Sequence, residues 1–206
     1  MVPALWKRAN VSSVLKKDDP TLAENYRPIS LLCIASKVLE RCDFNHCYPH
    51  VVPLLHNLQH GCLRGKSTVT QLLEVYHDIL DMVAGGQEVD VIHFDLSKPF
   101  DKVPHDLFST KLHHHGISGT ALRWFASYLS NRQQRIVLEG GFSDWLPVIS
   151  GVPQGSILGP LLFLVSVNEM PSYVQHGSSL AVFADDSKLY RPIDSVSFPA
   201  LLIVAI

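Results

Sequence analysis

The 206-residue sequence predicts an α+β fold. Two patterns support this prediction: segments with apolar residues at helical spacing, and short segments that are rich in β-branched residues and alternate in polarity. Turns that contain glycine or proline separate these segments. From residue 68 onward the order is helix, strand, helix, helix, hairpin, helix and hairpin, which is typical of α+β proteins.

Several of the predicted elements end at a recognisable stop signal. Gly85-Gly86 follows the second helix, Gly116 follows the third, and Pro99 follows the first strand. The predicted helices span residues 30–41, 68–82, 104–115, 119–129 and 157–168. The predicted strands are 89–96, the pair 133–139 and 143–150 around Gly140-Gly141, and the pair 180–184 and 188–191 around Asp185-Asp186.

The composition excludes several classes of protein. The chain is 47% hydrophobic and 17% charged, with a net charge of −2, which excludes disorder and a basic field over the whole surface. No apolar run approaches the length of about 18 residues that spans a bilayer, and the first ten residues lack the layout of a signal peptide. We therefore expect an intracellular protein of the nucleus or cytoplasm with no membrane partner.

The four cysteines are Cys33, Cys42, Cys47 and Cys62. Without an export signal, reduced thiols in the core are the favoured interpretation. Cys42, His46 and Cys47 form an alternative metal site, but they offer three ligands at a non-standard spacing.

Three aspartates indicate metal chemistry. Asp185 and Asp186 lie at the tip of the last predicted hairpin, and Asp95 is at the end of the first predicted strand. If the two strands lie side by side, Asp95 and Asp185 converge, and hard oxygen ligands of this kind suit Mg²⁺. Adjacent aspartates are also common in ordinary turns, so the spacing alone leaves both interpretations open.

Five ordered segments carry a resemblance to a known family. HFDLSKPFDKVPH (93–105), SGVPQGSILGPLLF (150–163) and VFADDSKLY (182–190) resemble motifs A, B and C of the reverse transcriptases of non-LTR (LINE-type) retrotransposons. NYRPISLL (25–32) and QHGCLRGKSTVTQL (59–72) resemble finger segments of the same family. The resemblance extends over about residues 5–192.

This resemblance implies the fingers and palm of a right-hand polymerase, an antiparallel sheet with packed helices, with the thumb missing. Residues 1–88 would be a fingers-like segment with part of the palm, and residues 89–192 the palm with motifs A, B and C. Residues 193–206 are an apolar tail that does not resemble the family.

The resemblance also implies roles for particular residues. Asp95, Asp185 and Asp186 match the catalytic, metal-binding triad, with Asp95 and Asp185 as principal ligands of Mg²⁺ or of Mn²⁺ as a substitute. Phe100, Gln154 and Gly155 match nucleotide-binding positions. Arg64 and Lys66 offer cations for the triphosphate, and Arg27 matches a segment in which it could contact the template.

The implied activity is RNA-directed DNA polymerisation, with an RNA template, a DNA primer and dNTPs as partners and no stable protein partner. The alternative is a catalytically dead relic, or a residual nucleic-acid-binding module without a thumb. Several residues of the matching segments also have a purely structural interpretation. Phe100 could be part of the core, and Gln154 could form hydrogen bonds within its own turn. Asp101 and His105 are expected to cap and orient the start of the third helix.

Two departures from the family pattern have physical consequences. Pro99 stands where the family usually has alanine, so one backbone donor is lost and Lys98 is restricted. Gly61-Cys62-Leu63 replaces the usual Gly-Phe-Arg, so Arg64 is one position late, which in an extended chain turns the side chain to the other face.

Overall fold

The computed structural model describes residues 2–16, 19–174 and 177–193. The predicted apolar tail, apart from Ile193, lies outside the described residues. The strands are β1 (Arg8–Leu15), β2 (Tyr26–Leu31), β3 (Glu88–Asp95), β4 (Arg132–Leu138), β5 (Gly141–Phe142), β6 (Leu146–Val148), β7 (Ser179–Phe183) and β8 (Asp186–Ile193). The helices are α1 (Ile34–Val51), α2 (Thr68–Ala84), α3 (His105–His114), α4 (Gly119–Leu129) and α5 (Gly159–Val167).

The chain divides into two compact units. The larger unit comprises Met1–His56 and Leu96–Glu169, and the smaller unit comprises Asn57–Asp95 and Met170–Ile206. The bounds of these compact units differ from the boundary at residue 88 that the motifs predict. The assignment of fingers and palm stays a prediction.

The larger unit is built on a five-stranded sheet. Its strand order is β2-β1-β4-β5, with β6 also paired to β4. β1 runs parallel to β4, and the other pairs are antiparallel. Helix α5 packs against α1 and α3, and its residues from Leu161 to Val165 are all buried, as expected for a helix that is apolar on every side.

The sequence did not predict β1 or β2. In β1 only Ala9 and Val11 are buried, and the parallel partner β4 lies more than a hundred residues further along the chain. Its antiparallel partner β2 is near in sequence, but with so few buried residues β1 lacks the alternation in polarity that indicates a strand.

Helix α1 differs from its prediction in its bounds. It begins at Ile34 because Ser30 and Leu31 pair with β1. Two of the apolar residues that indicated the helix are exposed, Ile34 by 80% and Val38 by 61%. The helix instead buries a mixed set of residues: Ser36, Glu40, Cys47, Tyr48 and Val51.

The interpretation of the cysteines as core residues is confirmed only in part. Cys47 is buried and Cys33 is half-buried, but Cys42 and Cys62 are exposed, so the core interpretation is wrong for these two. All four thiols are free.

The smaller unit is a three-stranded antiparallel sheet with one helix. Its order is β3-β8-β7, and α2 packs on β3 and β7. The core between helix and sheet is formed by apolar and aromatic side chains: Val75, Ala181, Tyr190, Ile79, Met82 and Val89. Within the described residues, no helix is both long and apolar enough to cross a membrane.

Candidate active site

Two of the three predicted aspartates lie opposite each other on adjacent strands of the smaller sheet. Asp95 is the last residue of β3, Asp186 is the first of β8, and they are partners in the antiparallel register. Both are exposed. Opposite residues on such strands point to the same face, with Cα atoms about 4.5–5.5 Å apart, and like charges in this position repel. The pairing therefore creates a place where a cation stabilises the sheet.

Asp185 lies in the turn between β7 and β8, next to Asp186. The preceding residue, Ala184, has a left-handed backbone with φ 54°. Asp185 also lies near the thiol of Cys62. Although Cys62 is exposed as a residue, partial desolvation of its thiol raises the pKa, and the negative charge of Asp185 raises it further. The strands of Asp95 and the hairpin are side by side as predicted, but the register partner of Asp95 is Asp186.

The paired carboxylates line a cleft of about 230 Å³ between α2 and the sheet. Lys188, on the same face as Asp186, also lines it and donates a hydrogen bond of 2.9 Å from Nζ to Oε1 of Gln71 on α2. The cleft thus holds two acidic side chains and one lysine whose ammonium is bonded to the helix.

The donor set fits a magnesium ion. Among the described residues, no three His, Cys, Asp or Glu side chains are gathered closely enough to enclose a metal. Mg²⁺, however, is commonly held by one or two carboxylates, with waters and substrate phosphates completing its shell. The opposed pair Asp95 and Asp186 meets that requirement.

Arg64 and Lys66 belong to the loop before α2. This loop consists of turns, with left-handed backbones at Cys62 (φ 56°) and Gly65 (φ 77°). The loop is therefore not extended, so the prediction that a one-residue shift turns Arg64 to the other face is wrong. Arg64 is exposed, whereas the Lys66 ammonium donates to the backbone carbonyl oxygens of Asn57 and Gln59.

In the larger unit, Gln154 lies in a tightly packed turn. Its carbonyl oxygen accepts a 2.7 Å bond from the backbone N–H of Ser30 on β2. At Gly155 (φ 105°) a Cβ atom would lie 2.9 Å from the Ser30 carbonyl oxygen. Only glycine fits this approach of the turn to the strand. The side chain of Gln154 lines a cavity of about 270 Å³, together with Asp101.

Phe100 is both packed and partly accessible. Its ring stacks on that of Phe163 in α5 at 4.5 Å between centroids, and its carbonyl oxygen accepts a 2.7 Å bond from the N–H of Val152. Phe100 is half-buried. The structure thus joins the Phe100 turn to the turn that carries Gln154. Lys98, before Pro99, has a left-handed backbone (φ 51°, ψ 51°), which differs from the extended backbone that a following proline favours.

Asp101 and His105 do not cap α3, so this prediction is wrong. The N-terminus of α3 has no side-chain cap, and a ring nitrogen of His105, Nε2, instead lies 2.6 Å from the carbonyl oxygen of Gly151. Burial raises the pKa of the Asp101 carboxyl. Arg27, the predicted template contact, is exposed on β2.

Two residues that support these sites were not singled out from the sequence. Glu40 is completely buried, and its Oε2 accepts a 2.8 Å bond from the N–H of Ile157, just before α5. Gln59 is buried beside the turn of the β7–β8 hairpin. A charged residue inside an apolar periodic segment was the available signal for Glu40; Gln59 carries no comparable signal.

Comparison with known proteins places this chain among polymerases. Residues 14–195 match the family described as reverse transcriptase (RNA-dependent DNA polymerase). The "Probable RNA-directed DNA polymerase from transposon BS" of Drosophila melanogaster is 30% identical over 91% of this chain, and the "RNA-directed DNA polymerase from mobile element jockey" of the same organism is 28% identical over 94%. The chain covers 22% of the length of either relative.

A solved structure shows the same fold. The telomerase of Candida tropicalis in complex with a fragment of telomeric RNA superposes with a TM-score of 0.62 over 92% of this chain and 37% of the telomerase, at 12% identity. The predicted right-hand polymerase fold is therefore confirmed. Together with the family match over most of its length, this establishes that the chain belongs to the reverse transcriptase family.

Proposed function

We propose that this chain is part of the RNA-directed DNA polymerase of a mobile element. In the reaction, the 3′ oxygen of a primer paired with an RNA template bonds to the α-phosphorus of a dNTP, the hydroxyl proton is lost, and pyrophosphate leaves. The observation that carries the proposal is the pairing of Asp95 with Asp186 beside Asp185. This arrangement puts three carboxylates from distant motifs on neighbouring strands and one turn.

Asp95, Asp185 and Asp186 would hold Mg²⁺, or Mn²⁺ as a substitute. Bound there, the metal lowers the pKa of the primer hydroxyl and neutralises charge on the triphosphate. The repulsion between Asp95 and Asp186 keeps the site ready for a cation, and their exposure on the cleft leaves room for substrate phosphates.

Other residues would select and orient the substrates. Phe100 would exclude a ribose 2′ hydroxyl, and Gln154 with Gly155 would lie against the nucleotide and template. Arg64 would attract the triphosphate and Arg27 the template backbone, because both are exposed cations. The Lys66 ammonium serves the same loop differently, since backbone carbonyl oxygens already accept its hydrogen bonds.

Primer extension on a poly(A) template with an oligo(dT) primer and Mg²⁺ tests the proposal. The variant Asp95→Asn should lose at least about 100-fold in rate, because the metal site loses a charge. Asp90→Asn is the matched control: Asp90 is exposed on the same strand, opposite Arg191 and on the other face. Equal extension by wild type and Asp95→Asn, or none by any of the folded proteins, would contradict the proposal.

The variant Pro99→Ala examines the departure from the family pattern. It restores a backbone N–H and relieves the restriction on Lys98. If that donor contacts the triphosphate, extension should accelerate by up to about 100-fold. An unchanged rate would mean that the proline is tolerated in this turn.

A further inference from the structure

Residues 57–60, just before the loop that leads to α2, run beside β7 at the edge of the β7–β8 hairpin. Gln59 forms a parallel bridge with Val182 of β7. The backbone N–H of His60 donates to the carbonyl oxygen of Val182 at 2.9 Å, and the N–H of Val182 donates to that of Leu58 at 3.3 Å. The segment thus follows the hairpin up to its turn.

The side chain of Gln59 holds the turn itself. Gln59 is only 6% exposed, and its Oε1 accepts hydrogen bonds from the N–H of Ala184 at 2.8 Å and of Gly61 at 2.7 Å. The left-handed backbone of Ala184 is unfavourable for a non-glycine residue, so the surroundings must stabilise it. One buried oxygen fixes the residue that precedes Asp185.

Gly61 allows the loop to press directly on this turn. A Cβ atom at Gly61 would lie 2.2 Å from the backbone nitrogen of Ala184, which is closer than any real contact. The backbone of the loop therefore packs against the backbone of the turn with no side chain between them.

Two further side chains anchor the segment. The Lys66 ammonium donates to the carbonyl oxygens of Asn57 and Gln59, the second bond measuring 3.0 Å. Nδ1 of His60, whose side chain is 3% exposed, lies 2.9 Å from Oγ1 of Thr70, and its Nε2 lies 3.1 Å from a carboxylate oxygen of Glu74. Thr70 and Glu74 are both on α2, so the segment is tied to that helix.

We propose that Gln59 is a positioning residue for catalysis and that Lys66 acts through it, the two forming a brace that sets the position of Asp185 and Asp186. This inference rests on the proposed function, and it gives Lys66 a role other than binding the triphosphate. Displacement of a catalytic group by about 1 Å can cost about 100-fold in rate, so a brace on this turn controls the rate without touching substrate.

The first test compares Gln59→Met with Gln87→Met, which makes the same change at an exposed position of the smaller unit. Hydrogen exchange at the Ala184 amide should accelerate at least 10-fold in Gln59→Met alone. Primer extension should lose about 10- to 100-fold in kcat with the KM for dTTP unchanged. Unchanged exchange, or faster exchange with an unchanged kcat, would overturn the proposal.

The second test uses Lys66→Met, which removes a partly exposed ammonium and leaves Gln59 in place, so it remains informative if Gln59→Met does not fold. The brace predicts a lower kcat with an unchanged KM for dTTP. A raised KM with an unchanged kcat would overturn it in favour of triphosphate binding. Silence from the wild type would contradict the proposed function instead, and hydrogen exchange would still report whether Gln59 holds the turn.

Discussion

The two units hold their proposed functional residues by different means. In the smaller unit a buried side-chain oxygen, that of Gln59, holds the turn that carries Asp185. In the larger unit the turn that carries Gln154 is held by backbone contacts at Gly151 and Gly155, where no side chain fits. Both turns should therefore be sensitive to added atoms, at Gly61 in the smaller unit and at Gly151 or Gly155 in the larger unit, whereas loss of the Gln59 oxygen should affect the turn that carries Asp185.

The largest effect should come from adding a methyl group to the Gln154 turn. At Gly151 (φ 84°) a Cβ atom would lie 2.6 Å from both the Cα of Asp101 and the carbonyl oxygen of Phe100. We expect Gly151→Ala to lower the free energy of unfolding by more than about 3 kcal/mol, measured by urea denaturation.

Gly140→Ala separates steric clash from backbone strain. Gly140 has a similar φ of 81°, but nothing lies within 4 Å of its Cβ position. It should cost only the strain of a left-handed residue, about 1–2 kcal/mol. Equal losses in the two variants would mean that the close packing of the Gln154 turn contributes nothing.

The next largest loss of stability should come from removing Glu40, a buried carboxylate that supports the same turn. Glu40→Ala leaves the N–H of Ile157 without its acceptor, which should cost about 2–3 kcal/mol in unfolding free energy. Glu24→Ala, at an exposed position of the same unit, should stay within about 0.5 kcal/mol of wild type. An unfolding free energy of Glu40→Ala equal to that of wild type would show that the bond to Ile157 does not stabilise the turn.

A smaller loss is expected between α2 and the sheet of the smaller unit. The hydroxyl of Tyr190, on β8, donates a 2.6 Å bond to Oδ2 of Asp78 on α2. Tyr190→Phe should lower the unfolding free energy by about 1.5 kcal/mol, whereas Tyr76→Phe, where the ring is 67% exposed, should not change it. Similar stabilities for the two variants would contradict the contribution of this bond.

The smallest effect is a pH dependence from Asp101. Burial raises the pKa of this carboxyl in the folded state, so the folded protein binds the proton more tightly than the unfolded chain. The destabilisation from the charged form is therefore present at neutral pH, and it decreases as the pH falls through the folded pKa towards the unfolded value of about 3.9.

Asp101→Asn removes this contribution. At pH 7 the variant should be slightly more stable than wild type, and the difference should shrink as the pH is lowered to about 4, as followed by urea denaturation. A difference that grows on acidification would contradict the cause assigned to the raised pKa.

Local patterns predicted the elements whose signals are local. Helices α2, α3, α4 and α5 and strand β3 lie within two residues of their predicted bounds, because an apolar pattern marks each of them and a stop signal follows most of them. β1 was missed because only Ala9 and Val11 of its residues are buried, so it has little alternation in polarity. Helix α1 begins at Ile34 and not at residue 30, because the preceding residues belong to β2 and pair with β1.

The sequence predicted the acidic residues of the candidate site but not the strand register or the side chain that position them. The aspartates were found from their motifs, and the two strands lie side by side, but the residue opposite Asp95 is Asp186 and not the expected Asp185. Register fixes which aspartate faces Asp95, and register is set by the whole sheet. Gln59 was missed because nothing in the sequence indicates that this neutral side chain accepts hydrogen bonds from two backbone N–H groups.

The measurement that most directly tests the central claim is thermal unfolding as a function of Mg²⁺ concentration for wild type, Asp95→Asn and Asp90→Asn. If Asp95 and Asp186 form a cation site, Mg²⁺ raises the Tm of wild type and of Asp90→Asn, and not that of Asp95→Asn. Without Mg²⁺, Asp95→Asn should melt above wild type, because one of two facing charges is gone. The same Mg²⁺-induced shift in all three proteins would contradict the claim.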